Sequence, residues 1–355
     1  MHIPADWHET TERILGRASE RPPTVMVVGA PDVGKSTFCA YLASRLHQAG
    51  LATAVADADI GQSSIGPPAA ISGGLLSGPI ASLAEVPDAV GYFVGAISPV
   101  GHLLACTVGT ARVVQRLRAL GAKAVVVDTS GLVHGSAGRA LKEYKADLLQ
   151  PTDTVVLQRR EELAHLVRGW ERSASRVHLL NASPAAVARL PGQRRSYRAQ
   201  RFAAYFATAQ PISLSLDRVY LRNTWLHGGK ALAPDRLQAL SEHVQMPVLY
   251  GEQHGEQTLA VVEGWPTASQ RRTTLDGAPL TLWSSHRFSR LLCGLLDDQG
   301  FLVSMAILHH VDFTAGKLRL LAPPADLSRV RTVYLGRLLL QPNGTELAVL
   351  QPGDL

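Results

Sequence analysis

Residues 29–37 constrain this chain more than any others. They read Gly29-Ala30-Pro31-Asp32-Val33-Gly34-Lys35-Ser36-Thr37, and the first eight satisfy GxxxxGK[ST]. The continuous apolar run Thr24-Val25-Met26-Val27-Val28 precedes them and reads as a buried strand. Residues 36–49 follow and read as a helix ended by Gly50. Strand, glycine loop and helix together form the context in which this motif holds phosphate. The glycines let the backbone curl so that successive N–H groups point at phosphate oxygens, and the helix amino terminus adds its positive end. Lys35 brings a point charge to the β- and γ-phosphates, and the Ser36 hydroxyl can ligate Mg²⁺. An incidental glycine turn would not be flanked in this way. The loop therefore predicts a site for ATP or another nucleoside triphosphate, without naming the reaction.

The rest of the first half supports an open α/β sheet. Residues 52–56, 92–94, 124–127, 154–157 and 176–180 read as further strands, and residues 103–120 and 137–149 as helices. Such β-branched runs alternating with helices predict a parallel P-loop NTPase sheet with helices on both faces. Near Gln210-Pro211 the pattern changes to period two, in residues 213–216, 302–313, 317–321 and 332–340, with turn residues between. That predicts a smaller β-rich C-terminal domain, antiparallel, of sandwich or barrel type. The expected organisation is an N-terminal helical extension over residues 1–21, the P-loop domain over 22–210 and the β-rich domain over 211–355.

Of 355 residues, 46% are hydrophobic and 18% charged, enough to bury cores and to exclude a disordered chain. The formal net charge of +6 permits a polyanionic partner. Cys39, Cys106 and Cys293 form no CxxC pair and are odd in number, which suggests a reducing, cytoplasmic setting. No apolar run reaches the roughly 20 residues needed to cross a bilayer, and the acidic first twenty residues do not read as a signal peptide.

Two acidic clusters end predicted strands, where open α/β sheets bind ligands. One is Asp57-Ala58-Asp59-Ile60-Gly61-Gln62, the other Asp128-Thr129-Ser130-Gly131. Phosphoryl transfer needs one carboxylate for the attacking hydroxyl and one for the metal. Asp59 is the candidate general base, and Asp128, with Ser36, the candidate metal ligand. Asp128 to Gly131 also matches the DxxG of GTPases, so a GTPase-type switch or metal-chaperone and assembly protein is the alternative. Asn181, Asn223 and Asn343 lack the following Lys of an Asn-Lys-x-Asp guanine reader, which weakens it.

These stretches, in order, resemble the polynucleotide 5′-hydroxyl kinase family, which includes the kinase subunit of eukaryotic mRNA cleavage factor, the rRNA-processing kinase and archaeal RNA kinases. The resemblance runs through residues 31–37, 57–63 and 66–68, then Tyr92-Phe93-Val94-Gly95 with Ser98-Pro99, then residues 128–135, Leu141-Lys142 to Lys145, Gln150-Pro151, and a basic segment ending Arg201-Phe202-x-x-Tyr205-Phe206. It implies a kinase that moves the γ-phosphate of ATP or another NTP to the 5′-OH of RNA or DNA, with Mg²⁺. Lys35 would hold the transferred phosphoryl, Asp59 would activate the hydroxyl, and Gln62, Asp57 and Thr129 would lie near substrate. A lid near residues 189–201 would supply arginines over the phosphoryl: Arg189 and Arg194 in catalysis, Arg195 and Arg198 on substrate, with Arg201 a further candidate. The residues agree, since Arg189-Leu190-Pro191-Gly192-Gln193-Arg194-Arg195 is a basic Pro/Gly loop before a helix, and guanidiniums match phosphate oxygens bidentately.

One departure stands out. Where eukaryotic members carry a base-stacking tryptophan, this chain has Leu132, which leaves Val133, His134 or Tyr144 as substitutes and strand preference open. Protein partners are unknown, and a nucleotide-binding scaffold in an RNA-processing complex is a third reading. His309 and His310 lie in a strand-like run, where neighbours should face opposite sides and not share a metal. The five tryptophans read as core or interface residues.

Overall fold

The computed structural model describes residues 3–183 and 186–351; the ends of the expected domain ranges at residues 1–2 and 352–355 lie outside these. The chain forms two compact units, Met1–Phe202 and Ala203–Leu355. The division falls inside a helix, earlier than the change of pattern at residue 210.

The first unit runs α1 (Ala5–Leu15), β1 (Thr24–Gly29), α2 (Lys35–Gln48), β2 (Thr53–Ala58), β3 (Ala70–Leu75), β4 (Val90–Phe93), α3 (Leu103–Ala119), β5 (Ala124–Thr129), α4 (Gly135–Leu149), β6 (Asp153–Gln158), α5 (Ala164–Trp170), β7 (Arg176–Asn181) and α6 (Pro191–Phe206). The sheet order is β4-β3-β2-β5-β1-β6-β7. β2, β5, β1, β6 and β7 pair in parallel, while β3 and β4 add antiparallel at one edge. β1 explains why the parallel strands read as unbroken apolar runs. Val25 and Val27 enter one core with Phe38, Leu42 and Leu46 of α2, while Met26 and Val28 enter another with Leu166 and Trp170 of α5. A strand buried on both faces has no place for the polar half of an alternation.

β3 was not read from the sequence, because Ser72-Gly73-Gly74 looks like a loop. Its glycines are there for close approach: a Cβ at Gly73 would stand 2.6 Å from the Val55 carbonyl, and one at Gly74 only 1.9 Å from that of Pro87.

The second unit is β-rich, as expected, and its described residues form two sheets. The larger has seven strands and the smaller five. Pairing is mainly antiparallel, but Gln257–Val262 and Ala278–Ser284 run in parallel, a departure from the all-antiparallel expectation. In the smaller sheet Ala260 and Val262 pack with Leu240 and Val244 of helix Pro234–Val244, and Val261 packs with the larger sheet's core.

His309 and His310 do not face opposite sides of a regular strand. The register shifts between Leu308 and His310, and the two Nδ1 atoms lie 3.0 Å apart, so a bulge overrides strict alternation. Trp7 and Trp170 are buried as expected, whereas Trp265 is 61% exposed, with its ring centroid 6.1 Å from that of His286.

Candidate active site

The P-loop leaves the end of β1 and enters α2. Its turn needs left-handed backbone at Asp32 (φ 55°) and Gly34 (φ 96°), the second far cheaper for glycine than for any side chain. Val33 is buried beneath the loop, and Lys35, itself buried, donates to the Ala30 carbonyl at 2.7 Å. Ser36 Oγ donates to Asp128 Oδ2 at 2.5 Å. The other oxygen of Asp128 is buried without a hydrogen-bond partner. Burial pushes the Asp128 carboxyl up, to about 6, against the pull of Lys35 and Ser36.

A cleft of about 520 Å³ opens above this loop. It gathers Pro31, Asp32, Gly34, Lys35, Ser36, Thr37, Asp59, Gln62, Arg189 and Arg194 from the sequence-predicted set. Gly29, Val33, Asp57, Asp128, Thr129, Arg195 and Arg198 do not line it. Asp59 follows β2, and its Oδ1 accepts from the backbone N–H groups of Gly61 and Gln62, each at 3.0 Å. Both bonds fall on one oxygen, which aims the carboxylate and leaves Oδ2 for another donor.

Two predicted contacts are corrected by burial. The Asp57 carboxylate accepts from the backbone N–H groups of Asp59, Ser64 and Ile65 at 3.0, 2.6 and 3.1 Å, so it ties the loop after β2 and does not face the cleft. Burial, then the charges of Asp128 and Asp59, pushes its carboxyl up to about 8. Thr129 Oγ1 donates to the Val27 carbonyl at 2.8 Å and accepts from Lys142 at 2.9 Å, so it joins β5 to β1. Among the proposed substitutes for base stacking, Val133 is wholly buried in the core, while Tyr144 is exposed and His134 is exposed against His165, with ring centroids 6.5 Å apart.

α6 forms the roof. Arg194 Nη2 pairs with Asp32 Oδ2 at 2.6 Å, and the same oxygen accepts from the Arg189 N–H at 2.8 Å. The Arg189 guanidinium stands over the Tyr197 ring, 5.5 Å from its centroid. Arg201 was expected over phosphate; instead its Nη2 donates to the carbonyls of Ser64 and Gly66 at 3.0 and 2.5 Å.

Sequence reasoning assigned no role to Tyr197, Lys142 or Lys145, nor to the cleft wall at residues 81–84. Lys142 and Lys145 are fully buried on α4 beside Gly138 and Leu141. Those four positions share one helix face at i, i+3, i+4 and i+7, but two of them are lysines, so hydrophobic periodicity does not mark that face as inward. Lys142 donates to the Ser130 carbonyl at 2.5 Å, and Lys145 Nζ has no hydrogen-bond partner. Burial lowers both ammonium pKa values.

The arrangement is a phosphate cradle and an aimed carboxylate on walls of one cleft, with arginines above. Comparison with known proteins identifies the family. A family model described as mRNA cleavage and polyadenylation factor CLP1 P-loop matches residues 29–208. The polyribonucleotide 5′-hydroxyl-kinase of Pyrococcus furiosus is 31% identical over 351 residues, covering 98% of this chain and 96% of that one. The enzyme of the same name from Thermococcus kodakarensis is 33% identical over 356 residues, covering 99% and 97%. Among solved structures, the wild-type Clp1p–Pcf11p complex superposes with a TM-score of 0.61 at 13% identity, covering 93% of this chain and 78% of that one, which is a likeness of fold. The chain belongs to the CLP1 P-loop family.

Proposed function

We propose that this protein is an RNA 5′-hydroxyl kinase that transfers the γ-phosphoryl group of ATP to the 5′-OH end of an RNA strand. The observation that carries the reading is the placing of Lys35 and Asp59 in one cleft, with Arg189 and Arg194 at its lid. In this reading the phosphates lie along residues 31–37. Lys35, Arg189 and Arg194 neutralise the charge that spreads over the phosphoryl oxygens in transit. Asp59 Oδ2 accepts the proton of the 5′-hydroxyl as its oxygen bonds to the γ-phosphorus and the bond to the bridging β–γ oxygen breaks, releasing ADP. Holding both reactants in line supplies much of the acceleration.

The residues also fit Mg²⁺. A buried carboxylate oxygen with no partner, beside a serine hydroxyl at the phosphate cradle, is a donor set for a hard, hydrated cation. Ser36 and Asp128 would hold it, and the ion would supply charge neutralisation at the phosphates. RNA is favoured over DNA by the names of the archaeal relatives, polyribonucleotide kinases. Beside those names a GTPase-type switch or a scaffold role is not favoured. Among the described residues no helix is long and apolar enough to cross a membrane. A cytoplasmic enzyme is the reading proposed.

The test is incubation with γ-labelled ATP and 5′-OH oligonucleotides, single-stranded and duplex, of RNA and of DNA. Label should enter RNA 5′ ends, and Lys35→Ala should lower the rate by about 10²-fold or more. Absence of transfer to every strand by protein that still binds ATP overturns the proposal.

A further inference from the structure

The loop after Asp59 is held from two sides. From within the fold, Asp57 takes the N–H groups of Ser64 and Ile65. From the lid, α6 takes its carbonyls: Tyr197 Oη donates to Ser63 at 3.0 Å, and Arg201 Nη2 donates to Ser64 and Gly66. Gln62 Nε2 returns a bond to the Arg194 carbonyl at 3.3 Å. Positions 194, 197 and 201 share one face of α6 at i, i+3 and i+7. That face therefore bears an arginine paired with the P-loop at Asp32, a tyrosine under the Arg189 guanidinium, and an arginine committed to main-chain carbonyls.

We propose that Tyr197 and Arg201 are positioning residues of the transfer reaction, which hold the loop of residues 62–66 so that Asp59 faces the phosphoryl group only while α6 is docked. The inference rests on the reading of Asp59 as the base. Its physical content is coupling. Asp59 is aimed by the N–H groups of Gly61 and Gln62, so its direction depends on the path of that loop. The loop's carbonyls are bonded to the helix whose amino-terminal turn carries Arg194. Undocking α6 would withdraw the arginines from the donor phosphate and slacken the support of the base in one motion.

Tyr197→Phe removes one hydroxyl and keeps the ring under Arg189. Arg201→Met removes the carbonyl clamp, and Arg201→Lys returns one charged donor. We expect Tyr197→Phe and Arg201→Met to lower kcat for RNA phosphorylation by about 10- to 100-fold, with KM for ATP held within about threefold. Thermal midpoints with ATP bound should stay those of the parent, and Arg201→Lys should recover part of kcat. In an Asp59→Ala background, Arg201→Met should cost nothing further, because the group it positions is gone. Three outcomes overturn the proposal: unchanged kcat, a loss explained by weaker ATP binding or a lower melting midpoint, or a full additional loss in the Asp59→Ala background. Asp59→Ala alone separates this proposal from the reading beneath it. If that variant keeps the parent kcat, the base assignment itself fails, whatever the α6 variants do.

Discussion

Asp57 and Asp59 stand two residues apart on one strand end, and the fold gives them opposite tasks. Asp59 lines the cleft, while Asp57 is buried with its oxygens on backbone N–H groups. No feature of the short sequence Asp57-Ala58-Asp59 decides this; the bend of the chain after β2 does. The difference has a pH signature. Burial, and the charge of Asp128, lift the Asp57 carboxyl to about 8, so its proton is bound more tightly in the folded than in the unfolded chain. The stabilisation from that proton is complete below the ordinary aspartate range and is lost as pH rises through the folded value. The nucleotide-free protein should therefore lose stability between about pH 4 and pH 8, and Asp57→Asn should flatten that slope. Denaturant midpoints of the two proteins across this range check it; parallel curves would refute it.

At the scale of elements, α1 does more than extend the amino terminus. Trp7 is buried against Phe38 of α2, edge to face with centroids 5.2 Å apart, and Asp6 accepts from the Asn181 N–H at the end of β7 at 3.0 Å. A Cβ built on Gly34 would meet the Trp7 ring at 3.4 Å, so the indole is a wall of the P-loop's last turn. Trp7→Ala should cost about 3–5 kcal/mol from lost burial and the cavity left behind. It should also weaken ATP binding, which urea unfolding and nucleotide titration would measure together. α4 shows the limit of pattern reading in the other direction. Its two inward lysines break the rule that charged residues face water, because Lys142 anchors the backbone of Ser130 beside the cleft-lining Gly131.

For the whole molecule, each unit has its own core, and the cleft is built wholly from residues of the first. Saturating ATP should therefore stabilise the first unit, by about 2.7 kcal/mol at a hundredfold excess over Kd. Hydrogen exchange should slow chiefly in the P-loop, the loop of residues 62–66 and α6. Equal slowing across the strands of the second unit would contradict this. In the second unit Trp265, which the sequence reads as a core or interface residue, is exposed against His286.

Local pattern sufficed for whatever depends on nearby residues. The P-loop, the buried parallel strands, the helices α2, α3 and α4 and the change to β-rich structure near residue 210 were legible, because periodicity and turn chemistry are properties of short stretches. Asp59 was legible as a candidate at a strand end, and the family resemblance, with a basic Pro/Gly loop that agrees with it, pointed to Gln62, Arg189 and Arg194. Only the folded chain decided which acid faces the cleft, that Thr129 and Arg201 are occupied by backbone groups, that Tyr197 bonds to the loop of residues 62–66, and that glycines at 73 and 74 make a strand. Each of these depends on contacts between segments far apart in sequence. Burial and hydrogen-bond competition settle them, and neither is a property of a short stretch read alone.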